Sequence, residues 1–396
     1  MKRFFKIAVV LGLLLVSNMA CHKKSFETVI EPEPEDTTTY HFEPGLPPQL
    51  LKGINLSNWF NDYSDPAQYR TRFTPAHFDA VKALGFTYVR LPVGNTILFN
   101  PAQPATLNAT NLPFVDSAVK RATDAGLAVV INLHPWQEEY EKALFQNTMR
   151  VSELIAYWKA LAGYLKKYTP QQLFFEIYNE PHVGNFSGNA TDGWKWWWPV
   201  QQQIVQALRK TVPQHYIIAG AEGWNNIHYL VANQPYSTPG VVYNFHFYEP
   251  FAFTHQGAEW VGAPFNLLRG VPYPSSPERV QPLVDTTTNT EAKNLLSWYG
   301  GHRFNRDTLK RLIGKAAAWA SQHNVPLTCN EFGVYKPFAP PADRIQCIRD
   351  IRTSLEDYGI GWAMWELDEG FGLLDYPGGN RSQFEVDAAV VQALGL

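Results

Sequence analysis

From residue 49 onward, short apolar runs alternate with longer stretches whose apolar residues recur at helical spacing. The short runs have the composition of buried strands, and the longer ones that of helices with one face on a core. The strand candidates are Leu51 to Leu56, Thr87 to Val93, Ala128 to His134, Leu173 to Asn179, Tyr216 to Ala221, Val241 to Tyr248, Pro326 to Phe332 and Gly361 to Leu367. Helical patterns fill the gaps, among them Pro75 to Leu84, Leu112 to Ala125, Val151 to Lys167, Trp198 to Thr211, Arg306 to His323 and Ala342 to Tyr358. Strands separated by crossover helices predict a parallel sheet, and eight such units close a (β/α)8 TIM barrel: an α/β fold in one domain over residues 49–396, with extended strand-to-helix loops. An open doubly wound sheet is the alternative. No glycine-rich phosphate loop follows any strand, so the usual cofactor site of that fold is missing.

Residues 1–20 have a different pattern. A basic start (Lys2, Arg3, Lys6), the apolar run Ile7 to Val16 and the small Ala20 before Cys21 form a secretory signal peptide, too short to span a bilayer. Cys21 at the cleavage point reads as a lipidated cysteine of a bacterial periplasmic or outer-membrane lipoprotein, although Asn18 replaces the usual apolar residue; cleavage elsewhere would release a freely secreted protein. Residues 21–48, with Glu31-Pro32-Glu33-Pro34-Glu35-Asp36, are too polar to build a core and read as a disordered tether. The lipid is the only membrane attachment expected, and the domain is expected to be a monomer.

Composition narrows the chemistry. The net charge is −3 and no basic run follows residue 30, which excludes a nucleic-acid partner. Aromatic residues make up 14% of the chain, 13 of them Trp, more than a core requires, and such rings suit the flat faces of sugars. The chain has no His-x-x-x-His and no Cys cluster, so neither a metal nor a cofactor is expected. Cys329 and Cys347 are expected as buried free thiols, with a bridge between them left open.

The strand ends carry the candidate chemistry. Leu173-Phe174-Phe175-Glu176-Ile177-Tyr178-Asn179-Glu180-Pro181 and Val325-Pro326-Leu327-Thr328-Cys329-Asn330-Glu331-Phe332-Gly333 each place a glutamate at a C-terminal rim, and glycoside hydrolysis needs two carboxylates. Arg90 in Tyr88-Val89-Arg90-Leu91-Pro92-Val93 is a guanidinium among aliphatics and needs a carboxylate partner. His134 and Trp136 follow the third strand, His246 and Tyr248 the sixth, and Trp365 the last. Two loops are expected to shape a cleft: Gly193 to Trp198, and a long insertion from Glu249 to Phe304 with Phe251, Phe253, His255, Trp260, Tyr273, Trp298 and Tyr299, some of these rings lining the cleft and about half packing the insertion onto the barrel. Trp224 is either a cleft lip or a ring packed under its own loop. Glu366, Asp368 and Glu369 read as solvated rim charges.

Taken together, the stretch from Lys52 to Asp375 resembles glycoside hydrolase family 5, most specifically through Tyr178-Asn179-Glu180-Pro181 and Asn330-Glu331-Phe332-Gly333. All eight of the family's characteristic positions have a match, at Arg90, His134, Asn179, Glu180, His246, Tyr248, Glu331 and Trp365. The resemblance implies a retaining β-glycosidase with Glu180 as acid and then base, Glu331 as nucleophile, Arg90 and Tyr248 holding Glu331 anionic, and His134 and His246 ordering the polar shell. It places Asn179 at the sugar 2-hydroxyl and Trp365 under the reacting ring, with Trp136, Trp224 and Trp260 as further substrate contacts. The expected substrate is a β-linked polysaccharide or oligosaccharide and the leading activity an endo-β-1,4-glucanase. A mannanase, a xyloglucanase, an exo-glucosidase and a non-catalytic glycan-binding protein are the alternatives.

Overall fold

A computed structural model describes residues 40–61, 65–100, 103, 105–135, 138–184 and 190–396. The signal-like residues 1–20, Cys21, the tether up to residue 39 and Trp136 lie outside the described residues. Eight strands make up the barrel among the described residues: β1 (Lys52–Asn55), β2 (Tyr88–Val93), β3 (Ala128–Leu133), β4 (Leu173–Glu176), β5 (Ile217–Gly220), β6 (Val241–Phe247), β7 (Leu327–Phe332) and β8 (Gly361–Met364). Neighbours pair in parallel, and β8 returns to β1 through Gly53 opposite Ala363, which closes the barrel. A closed ring of parallel strands wrapped in helices reads as near-continuous apolar sequence, because both faces of each strand are covered. Seven of the strands are buried along their whole length.

Helices cover the outside where the sequence pattern placed them, with Pro75–Ala83, Leu112–Asp124, Thr148–Leu165, Arg306–His323 and Pro341–Glu356 among them. The helix Arg306–His323 shows why its ends fall where they do. Asn305 caps the amide of Thr308 while Thr308 returns a bond to the amide of Asn305, and Asn324 stops the helix in the left-handed region. Two expected loops prove to be helical. Gly193 to Trp198 lie inside the helix Ala190–Thr211, where Trp197 and Trp198 are buried and donate to the carbonyls of Gly220 and Gln234, so they pack the core and do not line a cleft. The insertion after β6 includes helices Pro277–Thr286 and Thr290–Gly301, and it buries Tyr273 against Phe253 and Tyr299 against Phe304, as expected of the rings that pack it onto the barrel. Cys329 and Cys347 are both free and buried.

Residues 40–48, assigned by composition to the tether, lie against the N-terminal mouth of the barrel. Phe42 meets Tyr216 edge-on at 4.9 Å and carries the Arg209 guanidinium over its face at 4.4 Å. Aromatic contact supplies here what the polar composition of the segment does not. Among the described residues no helix is long and apolar enough to cross a membrane.

Period-two alternation along the strands sorts the barrel interior into layers. Tyr88, Val130, Phe174, Ile218, Val242 and Ala363 form an apolar floor with Leu50 beneath. Two residues further along, the same strands present Arg90, Asn132, Glu176, Gly220 and Asn244, a buried polar layer. Arg90 binds Glu176 bidentately, Nε to Oε2 and Nη2 to Oε1, each at 2.8 Å, and neither side chain is exposed. Removing one partner of such a pair strands a charge in the interior. Glu176→Leu is therefore expected to cost about 3–5 kcal/mol, read as a lowered urea midpoint. The double variant Arg90→Met/Glu176→Leu is expected to lose less than Glu176→Leu alone; an equal or greater loss would contradict the pairing.

Candidate active site

The site stands directly on the polar layer. Arg90 has five N–H donors and each finds an acceptor. Beyond the two bonds to Glu176, Nη1 donates to Asn55 Oδ1 at 2.9 Å and to Glu331 Oε1 at 2.6 Å, and Nη2 donates to Asn179 Oδ1 at 2.8 Å. Glu176 also accepts from Asn330 Nδ2 at 2.9 Å, and Asn55 Nδ2 bonds the carbonyl of Asn330 at the same distance. Glu176, Asn55 and Asn330 were missed by sequence reasoning. The signal for Glu176 was present: a glutamate inside an apolar strand is as costly as the arginine inside β2, and each is the other's remedy.

Strand β7 departs from regular pairing at its upper end. Phe245 faces Cys329 but His246 faces Glu331, so Asn330 is an extra residue, a β-bulge. Consecutive residues therefore both reach the interior, Asn330 to Glu176 and Glu331 to Arg90.

Glu331 accepts from Arg90 on one oxygen and from the Tyr248 hydroxyl on the other at 2.9 Å. Glu180 follows β4 with φ of 46°, a left-handed conformation uncommon outside glycine. Its Oε1 lies 2.7 Å from His246 Nδ1. Asn225 Nδ2 donates to His246 Nε2 at 3.2 Å, which leaves the ring proton on Nδ1 to be given to Glu180. The same reasoning fixes His134: Asn179 Nδ2 donates to its Nε2 at 3.0 Å, so Nδ1–H donates to Asn132 Oδ1 at 3.0 Å. One oxygen of Glu180, one of Glu331 and a ring nitrogen of His246 lie within 4.8 Å of one another.

The two carboxyls sit in unlike surroundings. Burial pushes Glu180 up to about 7, against the pull of Arg90 and His182. Glu331 is also pushed up by burial, opposed by His246 and Arg90, and its ionised form is the one that its two donors satisfy. Burial drives His246 down to about 4, so it is a neutral donor at neutral pH.

Trp365 stacks on His134, the ring that Asn179 binds, with ring centres 5.8 Å apart. Trp224 is 44% exposed and lies flat on His182, and Trp260 is 53% exposed with its edge on Tyr335. The structure thus brings Arg90, His134, Asn179, Glu180, His246, Tyr248, Glu331 and Trp365 to one mouth, with Trp224 on the adjoining rim after β5. The expectation of solvated charge after β8 fails for Glu366 and Asp368, which are buried. Ser57 donates to Glu366, while Arg72 and Arg381 bind Asp368, because the β1 rim and the C-terminal segment close over them.

The chain is similar to proteins named as endoglucanases. Endoglucanase 3 of Fibrobacter succinogenes is 25% identical over 362 residues, 87% of this chain and 53% of its own, so the chain spans about half the length of that relative. Endoglucanase C of Acetivibrio thermocellus is 26% identical over 322 residues, 79% of this chain and 90% of its own. Among solved structures, Thermotoga maritima Cel5A in complex with cellobiose superposes with a TM-score of 0.68 at 25% identity, covering 87% of this chain and 97% of that one. The family model described as cellulase (glycosyl hydrolase family 5) matches residues 42–370, which hold the whole barrel and every residue of the site, and the chain belongs to that family.

Proposed function

We propose that the protein is an endo-β-1,4-glucanase that cleaves with retention of configuration, with Glu331 as the nucleophile and Glu180 as the acid and then the base. The observation that carries this is the short separation of two carboxyls in opposite surroundings. Their nearest oxygens are within 4.8 Å. That fits the gap of about 5–5.5 Å at which one carboxylate attacks directly, and falls short of the roughly 6.5–9.5 Å that admits a water between them.

The sequence of events follows from the bonds. Glu331, held by Arg90 and Tyr248, attacks the anomeric carbon as Glu180 protonates the departing oxygen; a glycosyl ester forms on Glu331 and the glycosidic bond breaks. Glu180, now a carboxylate, takes a proton from water, which attacks the same carbon and frees Glu331. The site pushes the proton affinities of the two acids toward these roles by burying one against a neutral imidazole and giving the other charged and hydroxyl donors. Asn179, fixed by Arg90 and His134, is placed to bond the sugar 2-hydroxyl, Trp365 to underlie the reacting ring, and Trp224 and Trp260 to extend the cleft.

The endoglucanase relatives support β-1,4-glucan as the substrate. Thermotoga maritima Cel5A has also been solved with mannotriose, which favours mannan as a second reading. The basic and apolar pattern of residues 1–20 supports export, and Cys21 supports a lipid anchor.

Glu331→Ala is expected to lower kcat by about 10,000-fold or more, as removal of a nucleophile does. Glu180→Ala is expected to fail on polysaccharide by roughly 100- to 10,000-fold yet still form the glycosyl-enzyme from an aryl glycoside with a good leaving group. Substantial polysaccharide hydrolysis by either variant would refute the assignment. Because the acid must carry its proton, kcat/KM is expected to fall as pH rises through about 7, an alkaline limb absent from Glu180→Gln. Mixed-linkage glucan and carboxymethylcellulose are expected to yield mid-chain fragments early in the reaction; release of monosaccharide alone would point to exo action, and preference for mannan to the second reading.

A further inference from the structure

Two residues beyond the acid, the ring of His182 turns back beneath it. Its Nδ1 lies 2.9 Å from the backbone carbonyl oxygen of Glu180, and its Nε2 lies 2.8 Å from Glu141 Oε2, on the helix Glu138–Gln146 that follows β3. A ring nitrogen pointing at a carbonyl or a carboxylate must carry hydrogen to bond it, and here both do. Glu141 is buried, which pushes its carboxyl up; the bond from His182 and a second from the Tyr178 hydroxyl at 3.3 Å oppose that by satisfying the ionised form. The His182 ring lies parallel to the Trp224 indole, 5.3 Å away at 3°, the arrangement in which an aromatic face stabilises a cation.

We propose that His182, an imidazolium clamped between Glu141 and the carbonyl of Glu180, is a positioning residue: it fixes the acid's left-handed backbone and, by its charge, loosens the acid's hold on its proton. The proposal rests on the reading of Glu180 as the acid. The energetics agree with the geometry: burial alone would lower His182, but the bonds to Glu141 and to the Glu180 carbonyl raise it to about 9.

The charged groups around the pair are few enough to separate. Glu180 faces His246 and Glu331 across the cleft, Arg90 and Glu176 below, and His182 behind. His182 faces Glu141, Glu180 and, from the rim after β5, Glu222, whose Oε1 accepts from the Gly184 amide at 2.9 Å. Burial pushes Glu222 up to about 7 as well, so a second group titrates near the acid. Glu222→Gln keeps an acceptor for that amide and removes the titration.

In the Glu222→Gln background, His182→Gln is expected to move the alkaline limb of kcat/KM upward by about one unit, because a cation that favoured the carboxylate is gone. It is expected to lower kcat on β-1,4-glucan by about 10- to 100-fold through misplacement of the acid. The loss on 2,4-dinitrophenyl cellobioside, whose leaving group needs no proton, is expected to stay below about 3-fold. His182→Arg, which keeps the charge and two donors, is expected to restore the limb. An unmoved limb with equal losses on both substrates would overturn the proposal and leave His182 a structural residue. Were the acid misassigned instead, Glu180→Ala would lose both substrates alike. Independently of either role, nitrogen-15 NMR of the histidine rings, assigned with His182→Gln, is expected to show two protonated nitrogens on His182 at pH 7. A neutral ring there would overturn the clamp.

Discussion

Everything at the catalytic mouth is referred to one buried guanidinium. Arg90 is not exposed, and each of its N–H groups is spent on a different obligation: two on Glu176 beneath, one on Asn55 beside it, one on Asn179 and one on Glu331 above. A charge in the barrel interior is tolerable only when paired and fully bonded. Glu176 supplies the pairing from below, which leaves Arg90 able to hold Glu331 by a short bond without being neutralised by it. From Asn179 the order passes on through His134 to Asn132, each step with donor and acceptor fixed by the one before.

The two glutamates show how identical side chains are made to differ. Glu180 is held from the front by an imidazole that burial keeps neutral, in a conformation that side chains seldom adopt, and remains 26% exposed to the cleft. Glu331 is almost enclosed and meets a guanidinium and a phenol. Burial pushes both carboxyls up, but the donors around Glu331 satisfy its anion and oppose that push, whereas Glu180 is left the better holder of a proton. That difference does not arise from the stretches around the glutamates, since both end apolar strands in the same way. It arises from what β2, β5 and β6 bring against them.

This also explains what could be read in the chain before folding. The alternation of apolar runs and helical stretches gave the barrel, because a strand covered on both faces has an unmistakable composition. The rim residues were visible because polar groups at the ends of apolar runs are conspicuous. Three things were hidden. Glu176, conspicuous in an apolar strand, is overshadowed by Glu180 at the rim of the same run. Trp197 and Trp198 were counted with the cleft because an aromatic cluster reads alike whether it packs inward or outward, and only the helix that carries them decides. Glu366 and Asp368 read as surface charges because the groups that bury them, Ser57 on Glu366 and Arg72 on Asp368, lie about 300 residues earlier in the chain.

The extra residue in β7 has a bearing on how such a site can be built or transplanted. Cys329 points to the helical layer, Asn330 and Glu331 both to the axis, and Phe332 again outward against Trp362. The strand changes phase within two residues. In a barrel of uninterrupted alternation, one of the two inward places would belong to the outer layer, and no choice of side chain there could reach both Glu176 and Arg90. Installing this chemistry on a regular scaffold therefore calls for an insertion, and excising Asn330 would leave Glu331 facing the axis directly after Cys329 while taking away the amide that Glu176 binds.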